Sequence, residues 1–369
     1  MASQSLATKY RPTDFSSLTE QSAIKDILTN QINTKTFQHG YLFTGPAGTG
    51  KTTSARIFAN MINAGKGNPI EVDAASNSGV DNIRQIIEDA KRKPLDAEYK
   101  IFIVDECHSL SNGAWQALLK TLEEPPKFTI FILCTTDPQK IPNTILSRVQ
   151  RYNFQKISNK GIVERLSDII FYENRELIED AGGSQDAIND IEWAKQEGIS
   201  CIDYEGKALE YIAKVSNGGM RDAITLMDKC LSLSSDLTLE NVLKTIGGED
   251  YSTFIEFLDA LEVKEKETAI RIIEDVYNAG KDVKQFLKDF AKFILEVEKY
   301  AIYKNFDYIN LPNTLENELE RLIDNPLFDA EKALFATMDF IVTLNSQVKW
   351  DSDPKTLIEL SILVYCGKG

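Results

Sequence analysis

The chain has 369 residues, 43% of them apolar and 26% charged, a balance that excludes wholesale disorder and leaves room for two or three domains of ~100–200 residues each. The net charge of −15 is uneven: residues 1–160 carry 19 basic and 15 acidic side chains and residues 161–369 carry 22 and 41, so a phosphate-rich partner would be met by the front part only. Five cysteines without paired spacing, two histidines and no run of ~18 uncharged apolar residues exclude a disulfide framework, a four-cysteine zinc module, a multi-histidine metal site and a membrane-spanning helix.

The opening stretch, MASQSLATKYRPTDF, lacks the basic–apolar–small layout of a secretory signal, so a cytoplasm is the expected setting. Short β-rich apolar runs then alternate with helical patterns, the signature of a parallel sheet covered by helices. Strands are predicted at 40–44, 70–73, 100–105 and 129–135, and helices at 22–34, 52–64, 80–92 and 112–123. KIFIVD and TIFILCT are nearly continuous in Ile, Phe, Val and Leu, which suits strands buried on both faces. The fourth helix must stop before Pro125-Pro126. From about residue 158 the β-rich runs cease. Residues 158–236 read as a small helical unit interrupted by Gly182-Gly183 and Gly218-Gly219, with an acidic loop or insertion at 173–191. Residues 237–369 read as a third, wholly helical unit, with Gly247-Gly248 near its boundary.

The first chemical motif is GPAGTGKT, running Gly45, Pro46, Ala47, Gly48, Thr49, Gly50, Lys51 and Thr52, between a strand and a helix. Its glycines let the backbone turn tightly and aim N–H groups at phosphates; Lys51 brings a positive charge to the β- and γ-phosphates, and Thr52 offers a hydroxyl to Mg²⁺. The helix that follows adds its positive dipole end. About 55 residues later, IFIVDE puts Asp105 and Glu106 at the carboxyl end of a buried strand, where α/β proteins form their ligand sites. Asp105 is expected to hold Mg²⁺ and Glu106 to activate an attacking water, so hydrolysis rather than binding alone is implied. Cys107 and His108 read as helix-start residues packing beside the site. Thr135-Thr136, Ser147-Arg148 and Arg221 are weak signals when taken singly.

Together these motifs resemble the AAA+ ATPase family and, more narrowly, the clamp-loader ATPases of bacterial DNA polymerase III, the gamma/tau type. LATKYRPTDF at 6–15, EVDAASNSGVDNIR at 71–84, IFIVDECHSLS at 101–111, ALLKTLEEPP at 117–126, CTTDPQKIPNTILSRV at 134–149 and NGGMRDAIT at 217–225 carry the likeness beside the phosphate loop. The resemblance implies an α/β AAA+ P-loop domain with a parallel sheet at 1–157, a small helical lid at 158–236 and an all-α collar at 237–369. It implies ATP and Mg²⁺ as cofactors, and it extends the phosphate cradle to Thr53. Thr136 matches the first sensor and Arg221 the second. Arg148 matches an arginine finger acting on a neighbouring subunit's ATP. Ala7, Tyr10, Arg11 and Pro12 match a segment packed near the adenine. The implied partners are other loader subunits in a pentameric ring, a sliding clamp and primer-template DNA, with no membrane.

Two departures stand out. Family members carry a four-cysteine zinc module after the phosphate-loop helix, whereas residues 63–68 here connect directly to the next strand, so no zinc is expected. The finger motif ends in Val149 in place of the usual cysteine. Nothing extends past Gly369, so the polymerase- and helicase-binding extension of the longer family form is expected to be missing, and a compact variant of this kind suits a phage or a minimal replisome. Lys91, Arg92, Lys93, Lys100, Lys120 and Lys140 are the candidate contacts to DNA phosphates, sequence-independent and salt-sensitive. The leading expectation is an ATPase subunit that opens a clamp and loads it on DNA. The alternatives are another AAA+ DNA motor of the branch-migration type and a loader subunit that only scaffolds its neighbours.

Overall fold

The computed structural model describes residues 4–182, 194, 197–199, 201–246, 251–306, 309, 311, 315–323, 333–349 and 351–367. They belong to two compact units, Met1–Val242 and Leu243–Gly369.

The first unit opens with a short helix, α1 (Leu6–Lys9), and continues through α2 (Ser22–Thr34), β1 (Gly40–Thr44), α3 (Lys51–Ile62), β2 (Ile70–Asp73), α4 (Val80–Ala90), β3 (Lys100–Asp105), α5 (Asn112–Glu123), β4 (Thr129–Thr135), α6 (Asn143–Leu146), β5 (Gln150–Asn153) and α7 (Asn159–Asp180). The five strands are parallel in the order β2-β3-β4-β1-β5, so β1, first in sequence, lies between the last two. Side chains alternate between the faces as strand pleating requires. Tyr41, Phe43, Ile101, Ile103, Ile130 and Ile132 pack on one side with Ile57 and Phe58 of α3. Leu42, Phe102, Val104, Phe131 and Leu133 pack on the other with Trp115 and Leu118 of α5. Each such buried side chain contributes about 1.5–3 kcal/mol of transfer free energy, which holds the closing ends of β1, β3 and β4 side by side.

Local signals set the helix ends. Ser111 Oγ accepts the Ala114 N–H to start α5 (3.3 Å), and the chain leaves the helix at Glu124, just before the proline pair. Ser158 Oγ accepts the Gly161 N–H (3.0 Å) to start α7. The four predicted strands lie where expected. β5 was not expected: QRYN has one buried position in four, the pattern of an edge strand. The reading of 173–191 as a loop is corrected over its first part, because α7 runs to Asp180 with Asn174 and Ile178 buried on the face continuing from Leu166 and Ile170. Residues 183–191 of that segment, and the Gly247-Gly248 boundary, lie outside the described residues. After α7 come helices Gly206–Val215 and Met220–Leu231 and the two-residue strands Asp203–Tyr204 and Asp236–Leu237, paired in parallel.

The second unit is helical among its described residues, with Tyr251–Glu262, Lys266–Asn278, Val283–Tyr303, Ala333–Val348 and Pro354–Cys366 as its longer elements. Its core is aromatic: Phe254, Phe257, Phe286, Phe290 and Phe293 are buried together, with Phe257 and Phe290 edge to face at 4.7 Å.

Candidate functional site

The phosphate-loop motif joins β1 to α3 across the closing edge of the sheet. A Cβ on Gly45 would fall 2.4 Å from the Phe154 carbonyl oxygen, and one on Gly48 would fall 2.8 Å from Gly219 Cα; both residues have positive φ, so only glycine fits. Lys51 opens α3 and is 6% exposed. Its Nζ donates to the loop's own carbonyls, Gly45 O at 2.9 Å and Pro46 O at 2.7 Å. Burial pulls its ammonium below the ordinary lysine value, while Cys134, Glu106 and Asp105 pull the other way. Thr52 Oγ1 donates to Asp105 Oδ2 at 2.8 Å, which joins the start of α3 to the end of β3.

Glu106 follows β3 with φ of 45°, a left-handed conformation rare outside glycine. Strain of this kind, of order 1–3 kcal/mol, gathers at functional positions. Here it turns the chain so that Asp105 and Glu106 both border the cleft, with Glu106 N–H donating to Asp105 Oδ1 at 3.0 Å. Two groups hold the Glu106 carboxylate at Oε2. Thr136 Oγ1 donates to it at 3.1 Å, and His108 Nδ1 lies 3.2 Å away. His108 Nδ1 is also 3.1 Å from Thr135 Oγ1, which accepts the Asp137 N–H. Cys107 is buried beside the site as expected, but His108 touches the glutamate itself, a contact with no signal in the sequence beyond proximity.

The cleft, about 320 Å³ in volume, is closed from the other side by α1 and the helix Met220–Leu231. Ala7, Tyr10, Arg11 and Pro12 line it, as do Ala47 to Thr53, Thr136 and Arg221. Met220 N–H donates to Gly48 O at 3.0 Å, a direct backbone tie between the phosphate loop and the helix that carries Arg221. The α1 segment is anchored to the same helical layer. Leu6 N–H donates to Asp228 Oδ2 (3.1 Å), Lys9 pairs with Glu173 (2.7 Å) and Glu176, and the Tyr10 ring stacks on Tyr172 with centroids 6.4 Å apart. Arg165, absent from the sequence reading, lines the cleft and donates from Nη2 to Tyr10 O at 3.0 Å.

The donor set fits a magnesium nucleotide. Glycines whose Cβ atoms would collide with the surrounding wall leave the loop amides open to phosphates. Thr52 and Asp105 already lie within hydrogen-bonding distance, and Mg²⁺ is commonly held by one or two protein oxygens with phosphates and water completing the octahedron. Among the described residues no group of three or more His, Cys, Asp or Glu side chains is arranged to hold a metal ion alone.

Arg148 lies elsewhere. Its carbonyl oxygen is 3.4 Å from where a Cβ would sit on Gly40, at the opening end of β1, whereas the phosphate loop leaves the closing end. A five-residue strand spans roughly 17 Å, so Arg148 does not meet the cleft of its own chain. Its guanidinium pairs with Glu123 at 2.6 Å and donates to Thr144 O and Ser147 Oγ. The six basic residues named as candidate DNA contacts do not form one patch. Lys100 opens β3 and Lys140 follows the closing end of β4, so they sit at opposite edges of the sheet. Lys100, with 15% of its side chain exposed, is tied to Asp89 at 2.8 Å and so acts as a structural cation; Lys91 and Lys140 pair with Glu88 and Asp137. Arg92, Lys93 and Lys120 are exposed. Among the described residues no helix is long and apolar enough to cross a membrane.

The chain is similar to known proteins along most of its length. Residues 70–158 match the family model "DNA polymerase III, delta subunit", and residues 195–236 match "DNA polymerase III clamp loader subunit, ATPase lid domain". The chain is 33% identical to DNA polymerase III subunit tau of Bacillus subtilis over 99% of its own length and 64% of that protein's. It is 32% identical to DNA polymerase III subunit gamma/tau of Mycoplasma genitalium over 89% of its length and 53% of the relative's. The chain thus spans between about half and two thirds of these relatives. Among solved structures, the Thermotoga maritima RuvB Holliday junction branch migration motor overlays with a TM-score of 0.46 at 20% identity, over 68% of this chain and 79% of that one, too loose a fit to weigh on function. A phosphate loop, an acidic strand end and a helical lid, in a chain one third identical to gamma/tau subunits along nearly all its length, place it in the AAA+ clamp-loader ATPase family of bacterial DNA polymerase III.

Proposed function

We propose that the chain hydrolyses ATP at the cleft and, as one subunit of a ring, uses the cycle to open a sliding clamp and leave it on primer-template DNA. Residues 1–157 act as the nucleotide domain, 158–236 as the lid and 237–369 as the collar that joins subunits. In this reading the loop amides and Lys51 hold the phosphates, and Thr52 with Asp105 holds Mg²⁺. Bound MgATP supplies the phosphoanhydride that is cut. Glu106 accepts a proton from the attacking water, and Thr136, bonded to the same carboxylate, couples that base to the occupant of the cleft. Arg221 approaches the phosphates from the lid. Arg148 serves the neighbouring subunit's nucleotide, where a guanidinium neutralises charge developing in the transition state.

One observation carries the reading: Lys51, Thr52, Asp105, Glu106, Thr136 and Arg221 line one cleft while Arg148 stands at the far end of β1. A scaffold subunit has no use for the strained Glu106 or for its bond to Thr136. The bacterial relatives support a cytoplasmic setting and the other loader subunits, the clamp and DNA as partners. The test is ATP turnover by the chain with its loader partners, measured alone, with primed DNA, with clamp, and with both. Stimulation greatest with both together supports a loader; stimulation by DNA regardless of clamp supports a DNA motor of another kind, and no turnover in any condition supports a scaffold.

A further inference from the structure

Three arginines line the cleft, Arg11 from the segment after α1, Arg165 of α7, which donates to Tyr10 O, and Arg221 from the lid, and a fourth, Arg56, lies nearby one turn into α3 beyond Thr52. Arg56 is matched by Glu71 at 2.5 Å. Arg11 is not matched. Its half-buried guanidinium makes no hydrogen bond or ion pair among the described residues, although it lines the cleft together with Lys51, Asp105, Glu106 and Arg221. Its proton affinity is lowered first by burial and then by the like charges of Arg56 and Arg221, with Glu71 and Asp105 opposing. A guanidinium does not shed its proton in a protein. It stays charged, and an arriving anion adds the hydrogen-bonding partner that its guanidinium lacks. A purine ring carries no charge with which to offset it.

The segment that carries Arg11 is tied to the lid layer through Leu6–Asp228, Lys9–Glu173 and Tyr10–Arg165, while its cleft neighbours Lys51 and Asp105 stand at the start of α3 and the end of β3. A ligand anion that engages Arg11 therefore bridges the two layers. We propose that Arg11 binds the phosphate chain of the nucleotide, as a second arginine in cis beside Arg221, rather than the adenine that its neighbours in the N-terminal segment would contact. This rests on the nucleotide reading of the cleft and assigns the end of the ligand that Arg11 recognises. The guanidinium fork suits two phosphate oxygens at once, which a lysine ammonium cannot reproduce.

The test is displacement of a fluorescent ADP derivative from the full chain by adenosine, ADP and the slowly hydrolysed analogue ATPγS, for the wild type, Arg11→Ala and Arg11→Lys, with ligand-free thermal midpoints recorded for each. Loss of a charge-assisted contact predicts that Arg11→Ala weakens ADP and ATPγS by about tenfold or more and leaves displacement by adenosine unchanged. Arg11→Lys keeps the charge, loses the fork and should fall between the two. An equal loss for all three ligands would reassign Arg11 to the purine or to the fold, and undiminished ADP and ATPγS binding in Arg11→Ala would remove it from the site. Both outcomes overturn the proposal while leaving the nucleotide cleft standing. Failure of the wild-type chain to bind any of the nucleotides overturns the cleft reading itself, and this proposal with it.

Discussion

The two edges of the parallel sheet carry the same kinds of residue and use them differently. At the opening edge, polar side chains bond to the backbone of the next element: Asn63 at the end of α3 donates to Tyr99 O and accepts Tyr99 N–H just before β3, and Thr129 Oγ1, at the start of β4, donates to Ala90 O. His39 Nδ1 lies 2.8 Å from Thr129 O, and Lys100 is tied to Asp89. These bonds have fixed partners and fasten helices to strands. At the closing edge, Lys51 rests on two loop carbonyls, Thr52 on Asp105, and Thr136 and His108 on Glu106. Each of these contacts is one that a phosphate, a cation or a water can replace. Residue type alone does not tell a fastening from a functional group; the exchangeability of its partner does. Arg148 is the exception, a charged group at the opening edge whose partially exposed bond to Glu123 can be given up.

That contrast predicts opposite responses to substitution. The largest effect falls on the exception. Arg148→Ala should lower ATP turnover by ~10³-fold or more in assembled complexes and leave the slow turnover of the dilute single chain unchanged; an equal loss in both would make Arg148 a structural residue like its edge neighbours. At the closing edge, Glu106→Gln should lower turnover by ~10²–10⁴-fold, with ATP affinity kept within a factor of about two and the unfolding midpoint not lowered. Unchanged turnover would remove Glu106 from the chemistry.

At the opening edge the signature reverses. Asn63→Ala leaves the Tyr99 N–H and C=O without partners and should cost about 1–3 kcal/mol per group in denaturant unfolding, with turnover per folded molecule unchanged. The smallest effect tests the second unit, where Glu262 has a buried carboxyl oxygen with neither kind of partner. Burial, aided by Asp259 and opposed by Lys264, raises its pKa to about 7. Because the folded value lies above the unfolded one, the group's contribution to stability is complete below the ordinary glutamate range and is lost as pH rises through about 7. Glu262→Gln should therefore raise the thermal midpoint at about pH 8 and leave it unchanged at about pH 4.

Much of this organisation was legible in the sequence. KIFIVD and TIFILCT declare their burial by composition, and the phosphate loop and Asp105-Glu106 are strictly local patterns placed at strand ends. What escaped notice depends on long-range approach. The pairing of Lys9 with Glu173 and the donation of Arg165 to Tyr10 join residues more than 150 positions apart, so no spacing rule points to them. β5 escaped because an edge strand needs only Tyr152 buried among its four residues. The helical part of 173–191 was hidden by its charge, which suits the solvent face of α7 as well as it suits a loop. The spread of the six candidate DNA contacts is not legible either, because sequence proximity does not reveal that β3 opens where Lys100 sits and β4 closes before Lys140.

The claim that nucleotide is cut between neighbouring chains can be tested by mixing. Loader complexes assembled from Glu106→Gln chains alone, or from Arg148→Ala chains alone, should be nearly inactive. Complexes containing both variants hold some seams in which an intact Glu106 faces an intact Arg148 from the next chain, so turnover should return in the mixture. If every mixing ratio stays as inactive as the two parents while wild-type complexes turn over, the finger does not act across a seam and the proposed division of labour is wrong.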